Sequence, residues 1–233
     1  GLDELAPFNP EERIIEYQLR KAGDRKLAGM TVAAFADETA SESPAPGGGS
    51  VAALLGSLGA ALGTMVANLS SHKPGWDERW EEFSRWAERG QRIKDQLLRL
   101  MDEDTQAFNR VMTALGMPKG TPEEKAARKA ALDRANQGAI EVPFRVMQVA
   151  SEAFALLEAM AMSGNPASVS DAGVGVLCVR AAIRGAWLNV RINLSGLADK
   201  ASAASMVAEG EQLVQRAEER ERAILALVEK KIG

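Results

Sequence analysis

The chain has 233 residues, with 28 Lys and Arg against 32 Asp and Glu for a net charge of −4. That length can bury a sizeable core, and the absence of a basic excess argues against nucleic-acid binding and polybasic membrane anchoring. One cysteine, Cys178, and one histidine, His72, exclude an internal disulfide framework, a CxxC knuckle and a two-His zinc site.

Residues 1–29 read as a tail, punctuated by Pro7, Pro10 and Gly23. Gly1-Leu2-Asp3-Glu4 lacks the basic start and apolar run of a signal peptide, so a cytoplasmic, thiol-poor protein is expected. Residues 30–233 read as one helical domain. The 40 alanines of the whole chain, set against six Phe, four Trp and one Tyr, favour helix over strand, and the expected fold is all-α.

Thr31 is positioned to cap a short helix to about Ala40. Ser41 to Ser50, with three consecutive glycines, reads as a loop. A small-residue helix follows over about 49–69. It is nearly uncharged, but its glycines and hydroxyls suit a buried central helix, and no second segment of this kind stands out to make a membrane protein. Trp76 to Leu115 carries an i+3/i+4 apolar stripe, stopped by Gly116-Met117-Pro118. Thr121-Pro122-Glu123-Glu124 is a capping box opening a helix to about Ser163, with a kink expected at Pro143. Ser168 or Ser170 caps the next helix, which reaches Leu194. Asp199 opens the last, to about Lys231. Long helices joined by short loops make an up-and-down bundle.

Four features invite chemistry. Pro46-Gly47-Gly48-Gly49-Ser50 presents backbone N–H groups at a helix start, as an anion or carbonyl site or simply as a close-packing entry loop. Ser57 and Thr64 suit hydroxyls bonded back to carbonyls, whereas Asn68 can reach a ligand. Asp104 takes an apolar position in the long stripe, where it is either a buried acid with a raised pKa or a carboxylate satisfied by a neighbour. Asp171, Gly175, Cys178, Ala182, Gly185, Ala186, Asn189 and Asn193 share a helix face that reads as a bare trough with polar ends, or as a tight helix–helix contact. His72 and Lys73 lie in the loop after the small-residue helix.

Pro44-Ala-Pro-Gly-Gly-Gly-Ser-Val-Ala-Ala53 resembles the cyclodeaminase module of the formimidoyltransferase-cyclodeaminase family. Gly59 to Val66, Asp104 to Phe108, Met117 to Lys125, Gly164-Asn165, Ser170-Asp171 and Leu188 to Leu194 extend the resemblance, in order, over about residues 30–231. Leu5 to Tyr17 resembles the end of the transferase half of such enzymes, which implies a cut fragment or a stand-alone gene.

The resemblance implies an all-α homodimer, free of metal and cofactor, that converts 5-formimidoyltetrahydrofolate to 5,10-methenyltetrahydrofolate and ammonia. Its partners would be a folate, with or without a polyglutamate tail, and a formimidoyltransferase domain. Methenyltetrahydrofolate cyclohydrolase is the alternative enzyme, and a non-catalytic helical dimerisation module the alternative without chemistry. Acid/base work is assigned to Asp104. Substrate binding is assigned to Pro46, Gly47, Gly48, Gly49, Ser50, Asn68, Lys73, Asn165, Asp171, Asn189 and Asn193.

Overall fold

A computed structural model describes residues 27–197 and 200–233. The tail motif Leu5 to Tyr17 and the expected helix start at Asp199 lie outside the described residues. Among the described residues every regular element is helical. The α-helices are α1 (Val32–Ala40), α2 (Gly48–Ser71), α3 (Trp80–Leu115), α4 (Pro122–Ser163), α5 (Val169–Asn193) and α6 (Lys200–Ile232). A 3₁₀ turn at Asp77–Arg79 precedes α3, so this helix starts four residues later than the stripe suggests. Trp80, counted in that stripe, is 55 % exposed, whereas Trp76 before the turn stacks on the buried Phe83.

Local chemistry sets the ends. Thr31 caps α1 by accepting from the Ala34 N–H at 3.1 Å. At α4 the Thr121 hydroxyl accepts from the Glu124 N–H at 3.2 Å, and the Glu124 carboxylate accepts from the Thr121 N–H at 3.0 Å. At α5 the residue before the helix is Ser168, but its side chain makes no capping bond; Asn165 instead caps the preceding 3₁₀ turn through the Ala167 N–H.

Consecutive helices from α2 to α6 run antiparallel, and α2 also runs antiparallel to α5. The residue pairs show this directly. Ser50 lies by Asp104 and Ser57 by Lys94 across α2 and α3, while Gly48 lies by Asn189 and Gly56 by Ala182 across α2 and α5. Glycine is required where α2 crosses α5. A Cβ on Gly59 would stand 2.7 Å from the Gly175 carbonyl oxygen, and one on Gly175 would stand 3.0 Å from that of Gly59. The core between the helices is filled by Phe83, Leu97, Leu100, Met101, Met147 and Leu156 among others.

The expectation of a single apolar helix needs correcting. Pro166–Asn193 is, like α2, long and apolar enough by length and composition to cross a membrane. Here α2 and α5 pack against each other, with 61 % and 50 % of their most apolar windows buried inside the bundle.

Pro143 sits inside a continuous α4. Having no N–H, it cannot bond the Ala139 carbonyl four residues earlier. Asn193 of α5 supplies the missing donor, its Nδ2 reaching the Ala139 oxygen at 3.0 Å. Leaving that carbonyl unsatisfied costs about 1–3 kcal/mol. Asn193→Ala is therefore expected to lower stability by about that amount, whereas in a Pro143→Ala background the same substitution costs less, because the backbone N–H at 143 takes over. Additive losses in a double-mutant denaturation cycle would show that the two residues act separately.

Candidate active site

Asp104 lies on α3, one helical turn from Leu100 and Met101, facing the first turn of α2. Gly47, which precedes α2, brings no side chain to cap it, and Gly48, Gly49 and Ser50 hold the first three helical positions. The carboxylate of Asp104 fills that gap from another helix. The Ser50 hydroxyl donates to Asp104 Oδ2 at 2.9 Å, and the Ser50 backbone N–H also bonds the carboxylate. A Cβ on Gly49 would fall inside the carboxylate, so the glycine is what lets α3 deliver the acid here. The helix start that could have held a ligand anion is thus taken by the chain's own acid.

Burial is the largest influence on Asp104 and pushes its pKa above the usual carboxylate value. The two Ser50 hydrogen bonds pull it back down, without cancelling the rise.

Beyond Asp104 opens a cavity of about 230 Å³ between α3, α4 and α5. Phe108, Val111 and Ile192 give it an apolar wall, and Asn136, Asn189 and Asn193 give it amides. Asn189 donates from Nδ2 to the Gly185 carbonyl at 2.9 Å, and Asn193 to Ala139, so both amides are oriented by backbone. Gly48 adjoins Asn189; a Cβ there would stand 3.5 Å from Nδ2. Pro46, buried and joined to Ala45 by a cis peptide bond, together with Gly47, forms the turn into α2.

The structure therefore brings Pro46, Gly47, Gly48, Gly49, Ser50, Asp104, Asn189 and Asn193 to one end of the bundle. It places the other expected binding residues at the opposite end. Asp171 precedes Asn189 by 18 positions on α5, about 27 Å at 1.5 Å per residue. Asn68 is exposed near the end of α2, and Lys73 lies over the Trp76 ring at 4.1 Å. The Asn165 backbone N–H bonds Ser70 Oγ at 2.8 Å. The middle of the α5 face is no trough: Gly175 and Ala182 meet Leu157 and Gly56, so this stretch is a helix–helix contact. Ser57 and Thr64 bond the carbonyls of Lys94 and Ala60. His72 is exposed, and burial raises the Cys178 thiol pKa.

Three residues near the site escape a reading of periodicity. Asn136 is one more polar residue in a polar stretch of α4. Thr105, beside Asp104, places its hydroxyl 3.3 Å from Ser50 Oγ. Asp102 is buried and accepts the Leu27 N–H at 3.1 Å. Its burial depends on a segment 75 positions away in the chain, which no local pattern reveals. A separate cavity of about 310 Å³ between α3, α4 and α6 is bordered by Arg89, Arg216 and Arg220 together with Glu152 and Glu219, and none of the residues around Asp104 reaches it.

Fold and site together define an all-α bundle protein with one carboxylate seated at a glycine-rich helix start beside an amide-lined cavity. A family profile described as Formiminotransferase-cyclodeaminase matches residues 31–212. Formimidoyltransferase-cyclodeaminase of Gallus gallus is 39 % identical over 236 residues, covering 99 % of this chain and 43 % of the relative. Methenyltetrahydrofolate cyclohydrolase of Methylorubrum extorquens is 39 % identical over 203 residues, 87 % of this chain and 98 % of the relative. The crystal structure of formiminotetrahydrofolate cyclodeaminase from Thermotoga maritima superposes with a TM-score of 0.70 at 27 % identity, covering 87 % of this chain and 96 % of that one. The chain belongs to the formiminotransferase-cyclodeaminase family. It spans less than half the length of the bifunctional relatives it matches.

Proposed function

We propose that this chain closes 5-formimidoyltetrahydrofolate to 5,10-methenyltetrahydrofolate with loss of ammonia. The observation that carries this reading is the buried Asp104, its pKa raised by burial, at the head of the amide-lined cavity. N10 attacks the formimidoyl carbon, N10 loses its proton, and the imine nitrogen becomes an amine. A second proton makes that amine ammonia, the C–N bond breaks, and the methenyl cation remains. The sequence thus consumes one proton from solution. Asp104 accepts the N10 proton and hands protons to the departing nitrogen, work worth about 10²–10⁴-fold in rate. The cavity holds N5 and N10 in attack geometry, with Asn136, Asn189 and Asn193 meeting the polar edge of the pterin. Ligand pockets usually span about 300–1,000 Å³; a cavity of about 230 Å³ suits the reacting rings and leaves the glutamate tail, of whatever length, outside. The proposed chemistry uses no metal or cofactor.

Hydrolysis of methenyltetrahydrofolate is the second reading, favoured by the relative matched over 98 % of its own length. Absorbance of the methenyl chromophore separates the two. Its appearance from formimidoyl-folate supports the cyclodeaminase, and its loss from methenyl-folate well above the buffer rate supports the hydrolase. Neither change would leave a non-catalytic dimerisation module.

The proposal includes a homodimer, and for the parent protein a transferase domain beside this one. Leu58, Met65 and Leu69 of α2 and Val174, Leu177, Leu188 and Ile192 of α5 are all at least 37 % exposed on these neighbouring helices. A second copy would cover them, and Ile192 also lines the cavity. Sedimentation at micromolar concentration is expected to give twice the chain mass; a monomer at every concentration tested removes this part of the proposal.

A further inference from the structure

The substrate side of Asp104 is not its only outlet. On the other side of the glycine turn lies a second cavity, of about 320 Å³, bordered by Leu27, Ala45, Glu38, Asp102 and Thr105. Gln106 and Asn109, both exposed, form its outer edge, so it communicates with solvent. Asp104 lines the first cavity and Thr105 the second, although the two are consecutive on α3. Between them stands Ser50. Its hydroxyl is completely buried, donates to Asp104 Oδ2 at 2.9 Å, and lies 3.3 Å from Thr105 Oγ1. Having one proton, already given to Asp104, Ser50 receives the proton of Thr105.

We infer that Ser50 and Thr105 form a two-hydroxyl proton relay joining Asp104 to the outer cavity. The inference rests on the folate reading above, and it answers a need the chemistry creates. A folate seated in the inner cavity covers Asp104 on that side, yet each turnover takes one proton from solution. The relay supplies it. When Asp104 gives its proton to the departing nitrogen, the Ser50 proton moves to Asp104 Oδ2. The Thr105 proton then moves to Ser50 Oγ, and Thr105 Oγ1 takes one from water in the outer cavity. Each hydroxyl gives one proton and gains one, so the chain ends in the same composition with its hydrogen bonds reversed. Rotation of the two hydroxyls and of the Asp104 carboxyl group resets it. Glu38 and Asp102 are the carboxyl-bearing residues that border the outer cavity. Hydrolysis of methenyl-folate releases a proton, and the same relay would then run outward.

Thr105→Val tests this, because it keeps the shape and the Ser50–Asp104 bond but removes the outer hydroxyl. On whichever folate the unsubstituted chain converts, kcat is expected to fall about 10-fold with KM unchanged. Imidazolium, a small permeant acid, should raise the lowered rate in proportion to its concentration. Thr105→Ser should restore the rate without it. A merely structural threonine would also be restored by serine but would not respond to imidazolium. Thr105→Val with the original kcat and solvent isotope effect overturns the relay, as does a loss that imidazolium does not restore. If the unsubstituted chain converts neither folate, the functional reading falls and the relay with it; a working enzyme indifferent to Thr105→Val removes the relay alone.

Discussion

Asp104→Asn is expected to lower kcat by about 10²-fold or more while leaving KM nearly unchanged. The amide keeps the shape of the carboxylate and an oxygen to accept from Ser50, and it loses the titrating proton. A second, opposite effect should accompany it. The folded-state pKa of Asp104 is raised by burial, so the folded chain binds this proton more tightly than the unfolded one. Its contribution to stability is then most favourable below the usual carboxylate value. That contribution declines as pH rises through the raised value and is flat above it. Above the raised value the buried carboxylate is ionised and costs stability, which Asn does not. The variant should melt no lower than the original in that range and should lack the decline on leaving acid pH. Near-normal turnover with a marked drop in melting temperature would instead make Asp104 a cap for α2 and nothing more.

Gly49→Ala should cost nearly as much activity, through geometry and not chemistry. The added methyl would occupy the place of the Asp104 carboxylate, which cannot remain bonded to Ser50. Either α3 shifts or the acid turns away from the cavity, and a displacement of about 1 Å in a catalytic group costs about 10²-fold. Gly48→Ala is the control. Gly48 is exposed, and a Cβ there meets Asn189 only at ordinary contact distance, 3.5 Å, so the same change one residue earlier should be mild. Steady-state kinetics of the pair decides the matter: equal losses at 48 and 49 would mean that the turn acts through flexibility and not through the seat it makes for Asp104.

Much of the fold is legible in the sequence. Apolar spacing and local caps mark the helices to within a few residues, because the Thr31 and Thr121 caps, the Gly116-Met117-Pro118 stop and the 3.6-residue period are chemistry between near neighbours. Asp104 stood out because a carboxylate replaced a hydrophobe in a regular stripe. The glycine turn stands out as three consecutive glycines before a helix and the asparagines as polar ends of one helix face, and with them the family resemblance.

What tertiary structure decided was every relation between residues far apart in the chain. Periodicity assigns a residue to a face but does not say what covers that face. The α5 face carrying Asp171, Asn189 and Asn193 is real. Packing fills its centre with α2 and α4 and leaves its two ends some 27 Å apart, so only the asparagines join Asp104. Asp102 differs from Asp104 by two positions, yet it accepts the Leu27 N–H and borders the outer cavity, whereas Asp104 faces the inner one. Pro143 announced a missing donor, but only the approach of α5 made Asn193 the donor that replaces it. The sequence by itself determined an all-α chain, its helix ends and the one acid out of pattern, since these follow from local hydrogen bonding and helical period. The role open to that acid was decided by where antiparallel packing set the first turn of α2, because burial and hydrogen-bond partners, which tune a carboxylate, come from other helices.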